Sequence, residues 1–413
     1  MECEVRTMTD AIAEPDTVFP RERGCPFAAR AQDAEMRAIS PVREVTLQGG
    51  ESAWWVTGHE EGRTVLSDRR FSSDRRLPRF PLPGGDAETR ERFRSQPPSM
   101  IGMDGEEHSR ARRAVLGEFT VRRLQALRPR IQEIVDGFVD EMLAAEEHPV
   151  DLVQALSLPV PSLVICEMLG VPYADHDFFQ ARTATLIRRS SPPGDKARAL
   201  DELRGYLGEL LTRKDAEPTD DLLGRQVAAQ RAAGTLDREG LVSTAFLLLA
   251  AGHETTANMI SLGTLTLLRD DGQRAALAAD PDAIPAAIEE LLRWFSIVET
   301  ATSRVATADV ELAGRTIRAG EGVVVSGLAA NRDPRAFDGP EDLDLTRGSR
   351  RHLAFGYGPH QCLGQNLARL ELEVVFETLL RRIPGLRLAA QPDEIDFKDD
   401  AAIFGAWQLP VTW

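Results

Sequence analysis

Followed for runs of apolar and polar positions, the chain reads as helical for most of its length. Helical pattern sets in near residue 107 and persists to about residue 268. Thr120, ahead of Val121, Arg122, Arg123 and Leu124, predicts a helix start with a threonine cap. Ser190, Ser191, Pro192, Pro193 and Gly194 break the helices in the middle of the chain. The longest candidate helix covers residues 235–268, with a start signal around Asp237. Thirty or so residues at 1.5 Å rise span roughly 45 Å. Its middle, residues 246–252, is apolar on every face and predicts burial all round. Further helices are expected at 284–295 and from just after Cys362 to about residue 383. Val150 to Val153, after Pro149, predicts another helix start. Strand signals are short: Trp54 to Val56, Val310 to Leu312, Thr316 and Ile317, Val323 to Val325, and the tail 395–413. Residues 80–98 and 331–352 read as long irregular segments, a length that is uncommon and often functional. The pattern predicts a mainly α fold with small β-sheets, without internal repeats.

Composition adds limits. The 413 residues are 42% hydrophobic and 28% charged, enough to build a packed globule and too apolar for wholesale disorder. Residues 1–24, acidic and broken by Pro15 and Pro20, read as a disordered tail, and residues 25–413 as one domain. The net charge is −16, which repels nucleic acid and anionic lipid, and only 6% of residues are aromatic, few for stacking bases. Lysine occurs only at Lys196, Lys214 and Lys398. The four cysteines, Cys3, Cys25, Cys166 and Cys362, form no paired or metal-finger spacing and suit a reducing cytosol. The N-terminal stretch lacks the apolar core of a signal peptide, and the longest apolar run, 245–251, is far shorter than the ~20 residues of a membrane span. A soluble, cytoplasmic monomer is expected.

The chemistry concentrates in Phe355-Gly356-Tyr357-Gly358-Pro359-His360-Gln361-Cys362-Leu363-Gly364. Glycines and a proline frame a single cysteine just ahead of a helix. A metal-binding thiolate needs amide donors and a helix N-terminus to hold its charge, and this loop offers both. At these residues the chain resembles the cytochrome P450 family, whose heme-binding signature the spacing matches. The resemblance implies a triangular-prism P450 fold with one buried heme b. It implies Cys362 as the axial iron ligand and metal site, Phe355 packed against the thiolate, His360 reaching a heme propionate, and Gly364 allowing close approach.

Three more stretches fit the same family. Ala251-Gly252-His253-Glu254-Thr255-Thr256 sets a carboxylate beside a hydroxyl inside an apolar helix. It looks like the family's acid–alcohol pair: Thr255 hands a proton to bound dioxygen and Glu254 resupplies it through water. Gly252 is expected to clear room for a ligand. Glu290 and Arg293, at i and i+3, match the structural motif that steadies the cysteine loop. At the position where many members carry a further arginine this chain has Asp342, so Arg347 becomes the candidate third partner. His108 and Arg112, at i and i+4, resemble the family's propionate-binding pair, and Arg304 resembles a third propionate contact.

The resemblance runs from about Trp54 to Trp413 and implies an enzyme: a heme-thiolate monooxygenase that inserts one oxygen atom from O2 into a substrate C–H bond. No flavin or nicotinamide fingerprint is present, so electrons are expected from a ferredoxin and its ferredoxin reductase, steered to Arg112, Arg113, Arg122, Arg123, Arg350 and Arg351. Aliphatic wall segments point to a bulky hydrophobic natural product such as a polyketide macrolide, with Glu299, Thr300 and Arg75 as polar points. Alternatives stay open: a permissive xenobiotic-type hydroxylase, an epoxidase or C–C coupling enzyme, and a noncatalytic heme sensor.

Overall fold

The computed structural model describes residues 18–19, 23, 27, 30–47, 50–82, 91, 94–95, 97–298 and 301–413. Most of the expected tail, Cys3, Cys25, Glu299, Thr300 and much of the 80–98 connection lie outside the described residues. The chain forms two compact units. One comprises Met1–Ser95, Glu299–Asp342 and Gly356–Pro359, the other Gln96–Val298, Leu343–Phe355 and His360–Trp413.

The first unit is built on a six-stranded sheet of order β1-β2-β3-β9-β6-β4. Its strands are β1 (Val18–Phe19), β2 (Val42–Leu47), β3 (Ser52–Val56), β4 (Phe71–Ser72), β6 (Ser303–Ala306) and β9 (Gly322–Val325). A separate hairpin pairs β7 (Val310–Leu312) with β8 (Arg315–Ile317). β2 and β3 are antiparallel with Arg43 opposite Trp55, and β3 and β9 run parallel with Trp54 opposite Val323. The β-branched run of β9 is buried throughout, as a strand in the middle of a sheet requires. Trp55 lies in the core, while the Trp54 indole Nε1 donates to Glu321 Oε2 at 2.6 Å. Both tryptophans are therefore sheet packing. Helices α1 (Ala31–Ile39) and α2 (His59–Ser67) belong to this unit.

The second unit is helical: α3 (Gly105–Leu116), α4 (Val121–Leu143), α5 (Pro159–Leu169), α6 (His176–Ile187), α7 (Pro193–Ala216), α8 (Leu222–Ala232), α9 (Arg238–Arg269), α10 (Asp271–Ala279) and α11 (Ile284–Phe295). The one-turn α12 (Gly327–Ala330) belongs to the first unit, and α13 (Gln365–Arg382) to the second. A small sheet of order β10 (Arg387–Leu388), β11 (Pro410–Thr412) and β5 (Val150–Asp151) completes it. The 32-residue α9 is the axis, packed on α5, α7 and α13. Asp237 starts it by accepting the Gly240 N–H at 2.9 Å.

Four details depart from expectation. Thr120 precedes α4 but its hydroxyl donates back to the Gly117 carbonyl, leaving no side-chain cap. Val150 and Asp151 form a strand before a π-helical turn, Val153–Ser157, because Asp151 Oδ1 accepts from both Val153 N–H and Leu409 N–H. The C-terminal tail holds one strand and isolated bridges, such as Val298 with Ile403, in place of a continuous run. The middle of α9 is not buried all round. Leu248 and Leu249 are buried, but Leu247 and Thr255 are half-buried and Ala251 is exposed. These three positions, four apart, form a strip left open along one side of an otherwise buried helix.

Candidate active site

The cysteine loop leads directly into α13. Cys362 N–H donates to the Phe355 carbonyl at 2.8 Å and closes the loop. Two backbone N–H groups, of Gly364 and Gln365, hydrogen-bond the sulfur, and the charges of Arg112 and Arg369 favour its anion. Burial is the larger influence and pushes the thiol up from its ordinary value. Yet Cys362 is accessible, whereas Cys166 is wholly packed with its thiol pushed up to about 12. Backbone donors and neighbouring cations for a thiolate, on a side chain that protein leaves uncovered, suit a sulfur bound to a metal cation.

Around it stand the other expected residues of the second unit. His108 is buried on α3, and its ring lies 4.0 Å from that of His360, tilted by 34°. Arg112, one turn on, donates through Nη2 to the Gln361 carbonyl at 2.7 Å. These cationic or donor side chains converge beside the cysteine loop, as the i, i+4 spacing on α3 predicts. Arg304 lies in the first unit, on β6, where it is buried and donates through Nη1 to the Ser303 carbonyl at 2.8 Å. Phe355 is half-buried under the Arg369 guanidinium, 4.6 Å from its ring centre.

The acid and the alcohol sit on α9. Thr255 Oγ1 donates to the Ala251 carbonyl at 2.8 Å, on the open strip. Glu254 is buried and turned elsewhere: Lys398 Nζ donates to its Oε1 at 2.5 Å and also to Asn258 Oδ1 at 2.9 Å. Lys398 is itself buried, with Nζ 5.0 Å from the centre of the Trp407 ring. Reading the sequence missed Lys398, although its being one of three lysines in the chain was a signal. Burial holds His253, beside Glu254, below its ordinary pKa and so neutral, with Nδ1 against the Leu249 carbonyl at 2.8 Å. Gly252 serves helix packing. A Cβ there would stand 2.8 Å from Ile165 Cγ1 on α5, so the glycine lets the two helices meet.

Behind the loop, α11 presents two carboxylates. Arg293 Nε and Nη2 each donate to Glu290 at 2.7 Å, with both side chains fully buried. Arg347 Nε joins at 3.1 Å, filling the place where Asp342 departs from the family pattern. The neighbouring Glu289, also missed in the sequence, accepts from Arg369 Nε at 2.6 Å and faces His352 Nε2 at 2.9 Å. Burial alone would raise its carboxyl, but the bonds and charges of His352 and Arg369 outweigh that and bring it down to about 2. Since Arg369 also covers Phe355, this cluster ties α11 to the cysteine loop.

Comparison with known proteins settles the family. The pentalenic acid synthase of Streptomyces avermitilis is 51% identical over 97% of this chain and 100% of its own length. The chain belongs to the cytochrome P450 family. The family model for cytochrome P450 itself matches residues 209–393. Cytochrome P450 MoxA from Nonomuraea recticatena superposes with a TM-score of 0.90 at 61% identity, covering 96% of this chain and 98% of that one. The mycinamicin VIII C21 methyl hydroxylase MycCI of Micromonospora griseorubida, bound to mycinamicin VIII, gives 0.89 at 42%, covering 96% and 100%. This P450 is thus a heme-thiolate monooxygenase that binds heme b, uses O2, takes electrons from a redox partner and acts on a hydrophobic substrate. The donor set about Cys362 fits that cofactor. Among the described residues no helix is long and apolar enough to cross a membrane.

Proposed function

We propose that this P450 hydroxylates one carbon of a bulky hydrophobic natural product of the macrolide class, with electrons delivered by a ferredoxin and its reductase. The observation that carries the reading is the open aliphatic strip on α9, ending at the Thr255 hydroxyl. A relative of 42% identity whose structure holds mycinamicin VIII supports the same size of guest. Val298 and Ile403, bridged to each other and half-buried, add aliphatic surface in the second unit.

Cys362 is the residue to hold the heme iron, through its thiolate. His108, Arg112 and His360 offer donors to the heme carboxylates. When bound, the heme supplies the chemistry by which one atom of O2 enters a C–H bond. Thr255 Oγ1 passes a proton into the open strip, and Glu254, on parting from Lys398, takes up a proton from water and relays it through water to Thr255. Lys398 holds Glu254 Oε1 between these events. Phe355 and the Glu289–Arg369 cluster keep the loop rigid, so that sulfur geometry does not drift. Arg113, Arg122, Arg123, Arg350 and Arg351 are exposed on the second unit and suit an acidic ferredoxin.

Titration of macrolides, terpenoids, steroids and small aromatics against the ferric enzyme tests the substrate class. A high-spin shift of the heme absorbance at micromolar macrolide is expected. A response to small aromatics alone overturns it.

A further inference from the structure

Near the C-terminus the chain doubles back on itself over residues 396–407. Phe397 bridges Ala406, Lys398 N–H donates to the Gly405 carbonyl at 2.8 Å, and Trp407 N–H donates to the Asp396 carbonyl at 2.8 Å. Lys398 stands at the last paired position, and the tip, 399–404, begins just after it. A two-stranded hairpin is marginally stable by itself, so what it touches sets where it lies.

Its paired part presses on α9. A Cβ on Gly405 would stand 2.0 Å from Asn258 Oδ1 and 2.8 Å from Asn258 Cβ. Glycine there lets the hairpin come close enough for Lys398 Nζ to reach both Asn258 Oδ1 and Glu254 Oε1.

Its tip is tied to the turn that joins α6 to α7. Arg189 N–H donates to the Asp400 carbonyl at 2.6 Å, Ala402 N–H donates to the Ile187 carbonyl at 2.9 Å, and Arg188 bridges Ala401. Side chains repeat the tie. Arg189 Nη1 donates to the Asp399 carbonyl at 3.1 Å, and Ser190 Oγ donates to Asp400 Oδ2 at 2.6 Å. The Arg188 guanidinium lies 4.2 Å from the centre of the Trp407 ring, and Lys398 Nζ lies 5.0 Å from the same centre. An aromatic face attracts a cation, most strongly away from water, so Trp407 adds a hold on the Lys398 ammonium beside that of Glu254. One ring thus joins the end of α6 to the partner of the acid. The turn is the loose end of this chain of contacts, since Arg188, Ser190, Pro192 and Pro193 are exposed while Lys398 and Glu254 are buried.

We propose that Arg189 and Trp407 are positioning residues for the proton path. Through the hairpin they hold Lys398 on Glu254, and movement of the α6–α7 turn sets how often the acid is released. This role rests on the reading of Glu254 and Thr255 as a relay.

The chain's three lysines, Lys196, Lys214 and Lys398, provide the test. Lys398 and Lys214 are 3% and 4% exposed, and each meets a carboxylate at 2.5 Å, Lys214 at Asp221. Lys214 is therefore a matched control. The ferric holoenzyme is acylated with N-hydroxysuccinimidyl acetate, and each lysine is read by peptide mass spectrometry. Trp407→Leu and Arg189→Met are expected to raise the labelling rate of Lys398 at least threefold and to leave Lys214 unchanged. Trp407→Phe, which keeps a ring, restores most of the protection. With a surrogate ferredoxin, its reductase and mycinamicin VIII, both variants shift product formed per NADPH in the same direction as Lys398→Met. Unchanged labelling of Lys398, or an equal rise at Lys214, overturns the proposal. So does raised labelling with unaltered coupling where Lys398→Met alters it. Unaltered coupling in Lys398→Met itself removes the relay, and this role with it. Absence of product from the unaltered enzyme counts against the macrolide class alone, and the labelling then decides.

Discussion

Two glutamates of the helical unit, Glu290 and Glu254, are nearly equally buried, at 1% and 5% exposure, and are held quite differently. Glu290 accepts two bonds from Arg293, one from Arg347 and one from the Asp344 N–H at 3.0 Å. Glu254 has one ammonium, Lys398, and a long 3.5 Å approach from Asn258, both at the same oxygen. The planar guanidinium fixes direction as well as charge, whereas an ammonium on a flexible stem is a point charge. A carboxylate gripped from several sides is scaffold. One gripped at a single oxygen can change partners, which proton transfer demands.

The sharpest way to break that contrast is to remove one cation from each. Arg293→Ala strips Glu290 of its bidentate partner and is expected to cost about 3–5 kcal/mol, as breaking a buried pair does. Denaturant unfolding and heme content measure it. Lys398→Met is expected to cost less, about 1–3 kcal/mol, because its carboxyl can take up a proton or water. It also changes product formed per NAD(P)H consumed and the pH profile of that ratio, and Lys398→Arg restores stability more fully than coupling. Equal losses in the two variants would make Glu254 scaffold too. Thr255→Ala should change unfolding stability by less than about 1 kcal/mol, because the higher helix propensity of alanine offsets part of the lost bond. It should retain ligand binding and lower coupling severalfold, and unchanged coupling would remove the hydroxyl from the proton path.

A last comparison, read at acid pH, concerns Glu289. Its carboxyl lies near 2 in the folded protein against an ordinary 4.5. It therefore contributes stability that is complete above the ordinary value and lost as pH falls through about 2. Unfolding midpoints compared at about pH 5 and pH 3 should fall less steeply in Glu289→Gln than in the unaltered protein.

How far the sequence carries differs between these same places. The helix at Ile284–Phe295 is read correctly to the residue, since apolar spacing and a proline in its first turn both mark it. Arg347 as third partner of Glu290 is legible because the family pattern shows what is lacking at Asp342. The cysteine loop is legible because six constrained positions occur within ten residues. Lys398 is not, for it reaches Glu254 across 144 residues and nothing local to either marks the meeting. The irregular C-terminal tail is misread for a similar reason. Its hydrogen bonds go to distant partners, such as Phe404 N–H to the Ile297 carbonyl, so alternating apolar residues there do not make a strand. The open strip on α9 escapes because hydrophobicity measures what avoids water, not whether the neighbour is protein or guest.

The bond from Thr255 to the Ala251 carbonyl has a kinetic side. At rest the hydroxyl is engaged with its own helix, and it can serve a proton only while released. A hydrogen bond of net worth near ~1 kcal/mol leaves the released form at roughly one molecule in six. In the proposed proton path the alcohol then works on a duty cycle, free for only part of the time.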